Sequence, residues 1–152
     1  MGSSHDLPSH NNCCSQETGK REQLVMSRLT AHNANLRCLM WQRRLSLVDW
    51  RIKVIVARLA QLGEGTLGDC DITRVKRQAQ IRLLDLRDVG GQQFHFDGES
   101  WDWELTLVHE LLHLHISDCF HRGWPGAKSE AGMAAERMID ALARALLAGY
   151  RK

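Results

Sequence analysis

His109, Glu110, Leu111, Leu112 and His113 sit inside an apolar run from Leu105 to Ile116. On a helix, side chains four positions apart lie one above the other, so the two imidazoles would stand one turn apart on one face. That spacing suits two nitrogen donors gripping a single zinc ion. Glu110 would then stand beside the ion, placed to take a proton from a water molecule and pass it on. Two core histidines satisfied by backbone carbonyls is the plain alternative, and a structural zinc site without chemistry is another. The surroundings favour the metal. Leu107, Val108, Leu111, Leu112 and Leu114 would bury this helix, and an imidazole bordering a packed core is costly unless each ring nitrogen finds a partner. A purely structural ion would leave Glu110 without a task.

A third donor is needed. Glu136 and Asp140 share a helical face, which Ala143 and Leu147 continue. Carboxylates heading an apolar stripe call for compensation: Glu136 by zinc, Asp140 by the free nitrogen of a zinc-binding histidine. A solvated pair beside Arg137 or Arg144 is the bland alternative. Glu130 is a weaker substitute near the helix entrance. Cys119 and His121 compete as nearer donors, although they need a turn after His113, and Leu114 and Ile116 favour continuing the helix. His115 points off the shared face and is expected at the surface or lining a groove.

Several elements must position these groups. Leu24, Met26, Leu29, Leu36, Leu39, Met40 and Leu47 recur at helical spacing, predicting a backing helix from about Glu22 to Leu47. Asn33 and Asn35 weaken its centre and suggest a break. Trp41 and Trp50 would anchor it to the core. Alternation from Trp50 to Val56 predicts a strand. Gly63, Gly65 and Gly68 predict a turn, and Cys70, Ile72 and Val75 a second strand. A third strand is placed at 78–86 and taken as the sheet edge along which a substrate would lie. A turn at Gly90-Gly91 and a short strand around Phe94 and Phe96 follow. Ser100 is expected to cap a helix over 101–117, and Ser129 to cap a last helix over 130–148, ending before Gly149. The fold class is α+β: a polar, disordered leader over 1–20, then a single domain over 21–152.

The pattern His109-Glu110-Leu111-Leu112-His113 followed by Glu136-Arg-Met-Ile-Asp140 resembles the gluzincin group of zincin metallopeptidases. The neighbourhood from Thr106 to Leu114 is similar to small phage or prophage zincin-like proteins and to ImmA/IrrE-type peptidases, over roughly residues 50–148. The resemblance implies a compact zincin half-domain: a backing helix, a small mixed sheet, the HExxH helix and a C-terminal glutamate helix. It implies a zinc-dependent peptidase with His109, His113 and Glu136 on Zn2+, Glu110 as general base and Asp140 orienting a donor. Larger gluzincins carry a second subdomain that supplies a Tyr or His to the oxyanion. This chain is too short for one, and His121, Tyr150 and His95 are the candidates in its place.

The remaining composition sets limits on partners. The 152 residues are 43% hydrophobic, enough for one core, and the formal charge is +2. Basic and acidic residues are mixed, and no basic stripe alternates with aromatics, so nucleic acid is not an expected partner. No apolar run is long enough to cross a membrane, and the opening residues lack a signal-peptide pattern. Five cysteines (Cys13, Cys14, Cys38, Cys70 and Cys119) with no CxxC spacing fit a cytosolic setting. Cys38 and Cys70 are expected to be buried or bystanders, and one thiolate capping the zinc remains a latency reading. The expected partner is a peptide or protein substrate, with a regulatory protein as a further partner. The competing classes are a zinc-stabilised, non-catalytic binding or regulatory module and a small-molecule amidase.

Overall fold

Thr30 starts the first helix. Its hydroxyl accepts the Asn33 backbone N–H at 3.1 Å, satisfying one donor that a helix start leaves over, and α1 runs Ala31–Arg44. The computed structural model describes residues 28–62, 65–89, 101–119, 125–126 and 129–152. The leader and the first part of the expected Glu22–Leu47 helix therefore lie outside the described residues, as do Phe94, Phe96 and Ser100.

The break expected at Asn33 and Asn35 does not occur. Both sit in the first turns of an unbroken helix, and Asn35 has a tertiary role. Its side-chain amide donates to the Val54 carbonyl at 2.9 Å and accepts the Val54 N–H at 3.3 Å. An amide pairing this way stands in for a neighbouring strand, closing part of a sheet edge.

The other elements are β1 Arg51–Ala57, a short α2 Leu59–Leu62, β2 Gly68–Thr73, a 3-10 turn Arg74–Lys76, β3 Gln78–Leu84, a short α3 Leu86–Val89, α4 Trp103–Ser117 and α5 Glu130–Tyr150. The sheet is mixed, in the order β1-β3-β2. β1 runs parallel to β3, with Arg51 opposite Gln78 and Ala57 opposite Leu84. β2 runs antiparallel to β3, with Gly68 opposite Leu83 and Thr73 opposite Gln78. This corrects two expectations. The third strand is central rather than an edge, so its backbone is paired on both sides. Val75 belongs to the turn and is exposed, not part of a strand.

Alternation decides the sheet's two faces. Ala79, Ile81 and Leu83 are buried towards the helices, while Arg82 on the other face makes two 2.7 Å bonds to Asp69 across the ladder. Asp102 caps α4, accepting from the N–H groups of Glu104 at 3.1 Å and Leu105 at 3.2 Å. Ser129 caps α5, accepting from Gly132 N–H at 3.0 Å. Contrary to expectation, α5 continues through Gly149. Its last turn is held by Tyr150, which receives Arg37 Nη1 at 2.7 Å and packs edge-on against Trp41.

α4 lies at the centre of the molecule, packed on β2 and β3, on α1 and on α5. Leu107, Leu111 and Leu114 are fully buried there with Trp41, Ile81, Leu83 and Ile139. Burial of such side chains contributes about 1.5–3 kcal/mol each. α5 buries a single row, Ala135, Ile139, Ala143 and Leu147, along with Gly132 near its start. Glu104, buried at the start of α4, receives Trp41 Nε1 at 2.9 Å and Arg151 Nη2 at 3.2 Å, tying α4 to α1 and to the end of α5. No described helix is long and apolar enough to cross a membrane.

Candidate metal centre

α4 and α5 bring three donors to one point. His109 and His113, one turn apart on α4, place their Nε2 atoms 3.1 Å from each other. Glu136 Oε2 of α5 lies 3.2 Å from His109 Nε2 and 3.6 Å from His113 Nε2. A tetrahedral zinc with bonds of about 2.0–2.1 Å separates its donors by roughly 3.3 Å, so this triangle has the size such an ion requires. Among the described residues, these three form the one cluster able to hold a metal. The α+β fold thus carries its His-x-x-x-His pair on α4 and the third, acidic donor on the C-terminal helix.

Asp140 stands one turn after Glu136, and its Oδ1 lies 2.8 Å from His109 Nδ1. A carboxylate there accepts a hydrogen bond from Nδ1–H, and the tautomer so favoured leaves the Nε2 lone pair directed into the triangle. Both carboxylates sit beside the buried row of α5, not within it: Glu136 is half-buried and Asp140 exposed. His113 is held neutral by its surroundings. Burial, then the neighbouring His109, pushes it down to about 4. Neutral imidazole is the form that binds a metal, so the donor set and its protonation fit a divalent ion.

Glu110 lies against β2 and lines the same groove as the donors. It is buried, and desolvation, then Asp69 and Glu136, push its carboxyl up to about 8. A dication at the triad would act in the opposite sense, favouring the carboxylate. The approach of β2 to α4 depends on Gly68. A Cβ at that position would meet Thr106 Cγ2 at 2.6 Å and the Arg82 carbonyl at 3.1 Å, and would lie 3.4 Å from Glu110 Oε1. Only hydrogen fits at that approach.

Between β2 and α4 runs an open groove of about 680 Å³, walled by Gly68, Cys70 and Ile72 on one side and His109, Glu110 and His113 on the other. Among the described residues β2 pairs with β3 alone, so its other edge borders the donors, the place sequence reasoning gave to residues 78–86. Cys70, expected to be buried or a bystander, is half-buried and lines this groove, its thiol pushed up chiefly by burial. Cys38 is fully buried, as expected, and its thiol is pushed up to about 12 by desolvation.

The remaining candidates fall elsewhere. Cys119 is exposed and outside the donor cluster. His115 is exposed and bonds the Leu45 carbonyl at 2.5 Å. Tyr150 is engaged with Arg37 and Trp41, about four turns or roughly 21 Å along α5 from Glu136. That distance removes it as an oxyanion donor. His95 and His121, and the Cys13-Cys14 pair, lie outside the described residues. Gly68 and Arg74 were missed as groove residues. The cluster of glycines before β2 was the only signal for the first, and nothing marked the second. Comparison of the chain with protein-family models, with curated proteins and with solved structures finds no match.

Proposed function

We propose that this protein is a zinc-dependent metallopeptidase of the zincin type, akin to the small phage or prophage zincin-like proteins and ImmA/IrrE-type peptidases. The observation that carries the reading is the convergence of His109, His113 and Glu136 at tetrahedral spacing, with Asp140 behind one imidazole and Glu110 in the adjoining groove. Zinc, when bound, supplies Lewis-acid activation of water and of a scissile carbonyl. Glu110 accepts the proton of the attacking water and returns it to the leaving amine. Asp140 keeps His109 in the tautomer that donates through Nε2. The edge of β2 that no described strand pairs would offer backbone N–H and C=O groups to an extended peptide, replacing the central β3 in that role.

Metal analysis and turnover test this together. The purified protein should take up close to one zinc per chain. Glu110→Gln should retain that zinc while peptide hydrolysis falls about 10²–10⁴-fold. Equal turnover in the two proteins would remove Glu110 as base; failure to load zinc would remove the centre itself.

A second reading draws on the position of Tyr150, the one described residue among the three oxyanion candidates, far along α5 from the triad. In it the chain is a zinc-stabilised binding or regulatory module that cuts nothing. Metal loading without hydrolysis of any peptide would favour it.

A further inference from the structure

The last helix carries more apolar surface than the fold covers. The row Gly132, Ala135, Ile139, Ala143 and Leu147 of α5 is buried, and at 3.6 residues per turn it takes up about one third of the helix circumference. A second face lies beside it: Ala131, Ala134, Met138, Ala141, Leu142 and Ala145, all exposed. Leu146 bridges the two and is exposed as well. Charged side chains within the helix keep to the remaining strip, which holds Glu136, Arg137, Asp140 and Arg144. A helix packed on one side ordinarily shows an apolar stripe little wider than about 100°, whereas one apolar all round is buried all round. Among the described residues nine large apolar side chains are exposed, and four of them, Met133, Met138, Leu142 and Leu146, sit on this helix.

We infer that this face is the contact between two copies of the chain, their α5 helices packed antiparallel about a two-fold axis at Met138. Bulk and smallness exchange on reversal about that point. Leu142 of one copy falls opposite Ala134 of the other, and Ala145 opposite Ala131. Large side chains set against small ones interdigitate, whereas a parallel pair would put Leu142 on Leu142 and alanine on alanine.

Charge favours the same arrangement. Glu130 opens the helix at the border of this face, and Arg144 lies on the same border near its other end. Reversal brings each Glu130 level with Arg144 of the second copy, within about 3 Å along the axis. Parallel pairing would oppose Glu130 to Glu130 and Arg144 to Arg144. Arg137 meets its counterpart near the axis, and its long stem carries the charge out to water. The contact spans about 25 Å of helix and buries roughly 1,000 Å² in all, at the lower bound of specific interfaces. The dimer is therefore reversible and governed by concentration. Glu136 and Asp140 lie on the strip away from it, so the donors and the groove stay open in each copy. Nothing in this contact depends on peptide cleavage.

Sedimentation velocity of the full chain tests it, from about 1 to 500 μM. Wild type should pass from monomer to dimer with a midpoint in the micromolar range. Met138→Glu sets two carboxylates on the axis and should weaken the dimer at least hundred-fold. Because Met138 is exposed, its melt in dilute solution should match wild type. Glu130→Arg and Arg144→Glu should each weaken the dimer about ten-fold. Mixed in equal amounts, these two should pair again, since opposite charges then meet at both ends. That arm stands even where Met138→Glu fails to fold.

A monomer at every concentration, a dimer indifferent to Met138→Glu, or reversed-charge variants that gain nothing on mixing would overturn the contact. Two further results would overturn it by naming another occupant. A monomer whose Met138 resists dilute peroxide assigns the face to residues 1–27 of the same chain. A monomer that sediments with phosphatidylglycerol vesicles assigns it to a lipid surface.

Discussion

At the scale of single residues, Glu110 is subject to opposing demands. The general base proposed here would have to ionise, yet burial against β2 and the nearby acids Asp69 and Glu136 hold its proton with a value pushed up to about 8. Its ordinary value is 4.5, so in the metal-free chain the folded state binds this proton more tightly than the unfolded one. The contribution to stability is then undiminished below 4.5, declines as pH rises through the interval up to about 8, and stays low above it. Chelated Glu110→Gln protein should accordingly gain stability over chelated wild type as pH rises, by about 5 °C in Tm at pH 8.5, with little difference at pH 5. Thermal melts at the two pH values check this, and an identical offset at both would refute it. His113 shows the complementary tuning. The burial that keeps a carboxylic acid protonated keeps an imidazole unprotonated, which suits one residue to proton transfer and the other to donation.

At the scale of elements, the site depends on how closely β2 approaches α4. Gly68 permits that approach, and the side chain it lacks would overlap Thr106 Cγ2. Gly68→Ala should therefore cost about 1–3 kcal/mol, read as a lower denaturant midpoint, and should reduce peptide hydrolysis by displacing Glu110. Adding Thr106→Ser removes the overlapping methyl while keeping the hydroxyl that receives Trp101 Nε1 at 2.9 Å. The double variant should recover part of the loss. No recovery would show that the contact with the Arg82 carbonyl, not Thr106, sets the approach. The opposite edge of the sheet follows another logic. Asn35 occupies the Val54 backbone from α1, whereas the β2 edge borders the groove.

At the scale of the whole molecule, the donor triangle spans two helices whose remaining contact is narrow. α5 packs mainly on α4 through one buried row, and Glu136 joins the two histidines across that seam. A ligand that binds only the folded state stabilises it by about 4 kcal/mol at a thousand-fold excess over its dissociation constant. Removing zinc with a chelator should thus lower Tm by about 10 °C, and adding zinc should restore it. Amide exchange should rise more over Glu130–Tyr150 than over the sheet, because an ion at the triangle would fasten the former, whereas the ladder holds the latter. A melt indifferent to chelator and to added zinc would exclude an ion at the triangle.

Much of this was legible along the chain because it is local. Spacing of four places His109 over His113 and Glu136 beside Asp140 on any helix, and Ser129 caps α5 by its chemistry alone. Where two residues could each serve, local reading chose wrongly: Ser100 and Asp102 both suit a cap, and Asp102 caps α4. Asn35, a weak helix former, is kept in α1 by a bond to a distant strand. The middle position of β3 follows from its parallel pairing with β1, a long-range contact that alternation within each strand does not encode. The sequence alone therefore determined which side chains could bind a metal. Tertiary structure decided which carboxyl group reaches the histidines, which strand edge adjoins them and that Arg74 shares their groove, because those facts depend on packing between segments distant in the chain.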